Sequence, residues 1–544
     1  MMSTNLHTPL TSLSNTASQK PSVLAFKIPE IDFATGEVIK WTGISFAEFA
    51  KDVDLAGQTW DTTLRVREGI PKGSVIALCL GGFSYLDIVH IYGIARAGFI
   101  PHLMGRLPGL VIVKELLRES ETKALIRSVQ FKETLGSVQD EGIVPVYDPV
   151  DLATLRSQDS TLPALHESND PDDVFIIAHT SGSTSGKPKL VRCTFRWMDA
   201  CYRKGTYWEN TGVEPEVQNW MGNICHMGQF QVTLINMARG YCTIQPRNPQ
   251  NPFDLEELMD LIRRASLNAL FLFFPLIIKL FHLARANREV LDLLKGLRTV
   301  SGSGAAFPKT EEEWVQSVGI NVRGAFASTE IGLALATLGT RKDSTGAYYP
   351  VDAPGVSYRF DPVPGQENLV ELVVLSDSID CPRAELRSKE DGHFHTGDLW
   401  EEVDVGGEKK GYWYRGRDDD WIKCEYALRC DTKAIQDNVR RTCSDLIFDC
   451  VAVGYGRPSP TLIVEPAIES DGKMSSDALK QEIFERISPF NSLHRAHEKI
   501  ASPELILIVA KNTLPRTETK GNIKRAAVEE MFKKELDQVY ANSS

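Results

Sequence analysis

The chain has 544 residues, 42% hydrophobic and 24% charged, the proportions of a globular protein with more than one core. Its 72 acidic against 60 basic residues leave a net charge of −12, which repels nucleic-acid phosphates and anionic lipid alike and excludes both as partners. The longest apolar run, Ala269 to Ile278, has ten residues and contains a proline; a bilayer needs roughly 20.

Residues 1–22 are rich in Ser and Thr, have no apolar stretch, and read as a disordered leader. Beyond them, strand-length apolar runs alternate with helical patterns. "SVIALCL" (74–80) precedes the amphipathic "SYLDIVHIYGIARAG" (84–98), the rhythm of a covered, mostly parallel sheet. A polar stretch, 156–173, separates this first unit from a second, which opens with the strand "VFIIA" (174–178). "HTSGSTSGKPKLV" (179–191) follows directly. Gly and Ser after a buried strand let backbone N–H groups converge on phosphate oxygens, with Lys187 and Lys189 completing the receptor. A Walker loop is excluded: only three residues separate Gly182 from Gly186, and Lys187 is followed by Pro188 where a hydroxyl would hold Mg2+. A solvated linker is the competing reading of this loop taken alone.

Further on, "DLEELMDLIRRA" (254–265) has a capping-box pattern, Asp254 with Glu257, and an apolar face; a buried strand "ALFLFF" (269–274) comes next. Two more strands end in small-residue loops, "RTVSGSGAAFP" (298–308) and "NVRGAFASTEIG" (321–332), so three such loops suggest one crevice at the carboxyl edge of a sheet. "GAFASTEIG" offers an aromatic face, Phe326, on which a base can stack, a hydroxyl, Thr329, and a carboxylate for a cation, Glu330. "HFHTGDLW" offers Asp398, which can accept both protons of a ribose diol or sit in a plain turn. A charged segment, 401–423, reads as a hinge to a smaller C-terminal unit with its own βα signals. Ten scattered cysteines without a C-x-x-C pattern fit a reduced, cytoplasmic protein.

In register, "TSGSTSGKPK", "FASTEIG", "HTGDLW", "YRGRDDDWIK" and "LPRTETKGNIKR" resemble the adenylate-forming superfamily of acyl-CoA ligases, peptide-synthetase adenylation domains and luciferases. The resemblance runs from about residue 40 to 530 and is strongest toward the adenylation domains of fungal peptide-synthetase-like enzymes and carboxylic acid reductases. It implies an α/β fold, a large N-terminal domain (23–415) of covered, mostly parallel sheets plus a small, mobile α+β domain (416–544). It also implies ATP and Mg2+. Thr180, Ser181, Gly182, Ser183, Thr184, Gly186 and Lys189 would hold phosphates, with Phe326 beside adenine and Ser328, Thr329 and Glu330 serving the phosphates and Mg2+. Asp398 would bind the ribose with Arg417 beside it, Asp419 would be the hinge, and Lys520 would reach the α-phosphate and the substrate carboxylate, with Lys524 in reserve.

Departures from the family pattern are visible. The phosphate loop has one residue more than the usual spacing, and Tyr426 and Leu428 replace Gly and Arg near the thiol-binding face. Amino-acid-activating relatives carry an Asp after the phosphate loop, whereas "NICHMGQF" (223–230) has no acid. Burying an α-ammonium there costs several kcal/mol, which disfavours an α-amino acid and points to an aryl or alkyl acid, with His226 beside its carboxylate. "FFPLIIKLF", "SGSGAAF" and "MGQFQ" would line the tail of the acid, or simply pack the core. The acceptor would be CoA or the phosphopantetheine of a separate carrier protein. Two alternatives stay open: an excised adenylation module, and a catalytically silent binder of nucleotide or acid.

Overall fold

The computed structural model describes residues 6–543 apart from 33, 106–109, 166–167, 169, 181–187, 209–215, 249–253, 306, 340–344, 365, 367, 407–409, 419–420, 425–428, 468–474 and 517–522. Two large sheets organise the first 350 residues. One has nine strands, in the order Tyr349–Pro350, Gly332–Ala336, Val322–Ser328, Thr299–Ser303, Ala269–Phe273, Val217–Asn219, Cys242–Ile244, Leu24–Ile31 and Val38–Ser45. Its six middle pairing partners, from Val322–Ser328 to Leu24–Ile31, run parallel. The other has six strands, ordered Val146–Tyr147, Ala124–Arg127, Val75–Cys79, Ile100–Met104, Val174–His179 and Leu190–Thr194, with only the last pair antiparallel. Continuous apolar runs suit strands covered on both faces, and the expected parallel α/β architecture is the one found.

The chain does not divide where the polar stretch 156–173 suggested. Val174–His179 pairs with Ile100–Met104 and so completes the first sheet, while Leu24–Ile31 crosses to the nine-stranded sheet through Cys242–Ile244. A polar connection marks a surface crossing, not a boundary. Likewise the three small-residue loops leave two sheets: that after His179 belongs to one, those after Ser303 and Ser328 to the other.

The leader expected to be disordered contains a helix, Pro9–Gln19. Thr8 caps it in a reciprocal pair with Thr11, and Pro9 fits the first turn, where no N–H is needed. Leu10 and Leu13 bury to 4% and 2% exposure, and the Thr16 hydroxyl donates to the Met237 carbonyl at 2.8 Å. Asp254 does cap the helix Leu255–Arg264, but Glu257 does not return to it. Its carboxylate instead accepts the Arg247 N–H at 2.5 Å and is buried, which raises its pKa to about 7.

The charged segment 401–423 is mostly strand. Phe394–Asp404 and Lys410–Arg417 pair antiparallel in a four-stranded sheet, with Trp400 and Tyr412 turned inward between the charges. From Ile422 to Tyr540 the buried apolar residues form a core of their own around a three-stranded sheet, Ile447–Val453, Thr461–Pro466 and Ile506–Ile508. Among the described residues no helix is long and apolar enough to cross a membrane.

Candidate active site

The phosphate-loop sequence leaves the carboxyl end of Val174–His179 and returns as Leu190–Thr194. Two hydrogen bonds join its ends: Thr180 N–H donates to the Lys189 carbonyl at 3.0 Å, and Lys189 N–H to the Thr180 side-chain hydroxyl at 3.2 Å. Burial pushes the His179 imidazole below its ordinary range, so it is neutral at pH 7, and the positive charge here comes from lysine. Lys189 is exposed. Ser181, Gly182, Ser183, Thr184, Gly186 and Lys187 lie outside the described residues, as do Asp419 and Lys520.

The returning strand runs straight into the helix Phe195–Trp208, which reaches the second group of predicted residues. Trp197 Nε1–H donates to the Glu330 carbonyl at 2.9 Å and Lys204 Nζ to the Ile331 carbonyl at 2.5 Å. Both carbonyls belong to the turn between Val322–Ser328 and Gly332–Ala336, where Ser328 pairs with Gly332. Gly332 has φ +68°, and a Cβ there would meet Gln231 Nε2 at 2.9 Å and Cys201 Sγ at 3.0 Å. Only glycine closes this turn without strain. Thr329 and Glu330 are half-buried at its tip.

Phe326 and Asp398 meet through residues that sequence reasoning passed over. The Phe326 ring lies edge-on to Trp400, with centroids 4.8 Å apart, and 5.7 Å from Tyr414. Tyr414 in turn donates its hydroxyl to Asp398 Oδ1 at 3.0 Å. Asp398 is 5% exposed, with Arg417 Nη1 at 3.5 Å from Oδ2, directly across the strand pair. Asp398 therefore lies in a strand, not in a turn. The signal for Tyr414 was available: in "YWYRGR" it alternates with Tyr412, and it pairs with Trp400, two residues along the strand from Asp398.

His226 precedes the helix Met227–Arg239 and is exposed, its N–H bonded to the Asn223 carbonyl at 2.9 Å. The segment "NICHMGQF" joins the two sheets: Asn223 Nδ2 donates to the Gly81 carbonyl at 2.9 Å, and Ile224 N–H to the Gly82 carbonyl at 2.8 Å. Of the segments expected to line the acid, Phe274 and Phe281 in "FFPLIIKLF" are fully buried, and Phe274 stacks on Phe307 of "SGSGAAF" at 4.7 Å. Phe274 and Phe281 are core, whereas Phe307 is half-buried.

A family model described as AMP-binding enzyme matches residues 16–359, and one described as AMP-binding enzyme C-terminal domain matches 419–544. The chain belongs to the AMP-binding enzyme family. It is 32% identical over 523 residues to the AMP-binding domain-containing enzyme iboA of Amanita muscaria, covering 93% of this chain and 98% of iboA. It is 25% identical to the adenylate-forming reductase Nps11 of Serpula lacrymans, over 96% of this chain and 48% of that protein. ATP-bound MatB from Rhodopseudomonas palustris has the same fold at a TM-score of 0.74, with 18% identity over 97% of this chain and 99% of MatB. So does the o-succinylbenzoate CoA synthetase of Bacillus subtilis with its acyl-adenylate, at 0.72 and 14% identity, over 95% and 97%.

The described residues suit what such a family binds. Asp398 is a buried carboxylate that accepts a hydroxyl, the Tyr414 O–H, which is the chemistry a ribose diol selects, and the Tyr414 and Phe326 rings follow it in contact. Glu330 supplies one carboxylate, which is what Mg2+ takes from a protein when phosphates fill most of its remaining shell.

Proposed function

We propose that this enzyme activates a carboxylic acid with ATP, releasing pyrophosphate and forming an acyl-adenylate that is then passed to a thiol. The observation that carries the reading is the tie between loop and turn: the helix that begins where the phosphate strand ends grips the Glu330 and Ile331 carbonyls. That one helix ties the strand following the loop to the turn carrying Glu330 supports a site in which phosphate and metal are held in fixed geometry for in-line displacement.

In this reading the loop from Thr180 to Lys189 cradles the β- and γ-phosphates, Phe326 and Tyr414 flank the adenine, and Asp398 accepts from the ribose hydroxyls beside Arg417. Ser328 and Thr329 face phosphate. Glu330 would hold Mg2+, which would supply charge neutralisation for the leaving pyrophosphate. The substrate carboxylate attacks the α-phosphorus, and two anions about 4 Å apart in a partly dry site repel by on the order of 4 kcal/mol. Lys520, an ammonium set between them, turns that repulsion into attraction. His226 orients the incoming carboxylate. An α-amino acid is disfavoured, because no acid in 223–230 pairs with its ammonium. The acid is aryl or alkyl.

The second step releases AMP as the thiol sulfur takes the acyl group. We assign it to rotation of residues 416–544 against 23–415 about Asp419, which exchanges Lys520 for a thiol path. The separate core from Ile422 to Tyr540 supports a unit that can turn as a body. CoA as acceptor is supported by the shared fold with o-succinylbenzoate CoA synthetase and anthranilate CoA ligase; phosphopantetheine on a separate carrier protein has the same thiol chemistry. ATP–pyrophosphate exchange across aryl, fatty and small acids tests the first step. Lys520→Ala should lose exchange at unchanged thermal stability, and full exchange in that variant rejects the assignment.

A further inference from the structure

The helix Phe195–Trp208 carries a lysine that meets no solvent. Lys204 and Asp380 are both 0% exposed, with Nζ 2.7 Å from Oδ2. A buried ammonium is tolerable only if its protons are all bonded. Here they go to the Ile331 carbonyl at 2.5 Å, the Tyr358 hydroxyl oxygen at 3.3 Å and Asp380. Asp380 also accepts from the Tyr358 hydroxyl at 2.5 Å and from Ser378.

The pair is not needed for burial as such, since apolar residues of equal volume often serve stability as well or better. What the ammonium adds is direction, for it points a donor at one carbonyl of the Thr329–Glu330–Ile331 turn. Two helical turns earlier on the same face, Trp197 points its own donor at the preceding carbonyl. Consecutive carbonyls held from one helix orient the two peptide planes that flank Ile331, the first of which begins at the Cα of Glu330. The same helix continues Leu190–Thr194 from the phosphate loop. Its rigidity sets the spacing between the two.

We infer that Lys204, anchored by Asp380, is a positioning residue that holds the Glu330 turn at a set distance from Leu190–Thr194, the strand that follows the phosphate-loop sequence; this rests on the reading of the site as an ATP site. It touches no substrate and acts through the Ile331 carbonyl.

The full chain with Lys204→Met, Asp380→Asn, the double substitution Lys204→Met with Asp380→Leu, and Trp197→Phe tests this. Mg·ATP affinity is measured by calorimetry, the KM for Mg·ATP and the maximal rate by pyrophosphate exchange, and stability by urea unfolding. Each single substitution in the pair leaves one buried charge without its partner and lowers stability. The double variant recovers stability but keeps an Mg·ATP dissociation constant and KM raised about tenfold, the least that one charge-assisted hydrogen bond converts to. Its maximal rate stays within about threefold of wild type. Trp197→Phe, which keeps an aromatic ring but loses the donor, shifts affinity in the same direction, while the stability lost to the smaller ring is read separately from its urea unfolding. A double variant with both stability and affinity at wild-type values would show that the pair only packs, and wild-type affinity in Trp197→Phe would deny the clamp. Wild-type protein that fails to bind Mg·ATP overturns the ATP-site reading together with this inference; wild-type binding with unmoved variants overturns the inference alone.

Discussion

Asp398→Asn separates binding from folding at the centre of the site. In the folded chain the carboxylate is 5% exposed, accepts the Tyr414 hydroxyl at 3.0 Å and has Arg417 at 3.5 Å. The Arg417 side chain is 40% exposed, so the ion pair contributes no more than about 1 kcal/mol to stability. Asparagine keeps the shape and one acceptor, which Tyr414 can retain. The other oxygen becomes an NH2 group that can only donate, and one ribose hydroxyl loses a charged acceptor. That loss is about 1.5–3 kcal/mol, or 10- to 100-fold in KM for ATP. The ribose is held alike in ground and transition states, so the maximal rate should stay within about threefold. Pyrophosphate exchange at saturating acid, titrated with ATP, measures both, with a thermal melt on the same samples. A KM within twofold of wild type at equal melting temperature refutes the ribose assignment.

Two further outcomes concern the frame. Glu257 has its pKa raised by burial from 4.5 to about 7, so between those values the folded chain keeps a proton that the unfolded chain releases. Stability therefore falls as pH rises through that window, by about 3 kcal/mol in total; Glu257→Gln should unfold at higher urea than wild type at pH 8 and nearly alike at pH 5, and an equal gain at both would contradict the burial argument. Gly332→Ala should cost about 1–3 kcal/mol, because φ +68° strains any other residue and the new methyl meets Gln231 and Cys201. Unfolding at wild-type urea concentration would show that the turn adapts.

Local chemistry was legible in the residues themselves. A glycine- and hydroxyl-rich sequence behind a buried strand, "FASTEIG" and "HTGDLW" each group chemically apt neighbours in the chain, and such short segments are readable from adjacent residues. Family and reaction class followed from their order. The helix Pro9–Gln19 was also written locally, in Thr8, Pro9 and the Leu10–Leu13 spacing, but the polar composition around it masked the signal. Lys204 left a trace too, as a charge two turns after Trp197 on a stripe shared with the buried Cys201.

Partners across long separations were decided only in three dimensions. Which sheet receives Val174–His179 depends on competition among all apolar strands, since every one of them presents the same unpaired backbone. Trp197 finds the Glu330 carbonyl 133 residues away, and Lys204 finds Asp380 at a separation of 176. Glu257 abandoned its capping role for the Arg247 N–H because the fold delivered that donor to a buried site. A hydrogen bond is worth most where water is excluded, and which groups lose their water is a property of the packed whole.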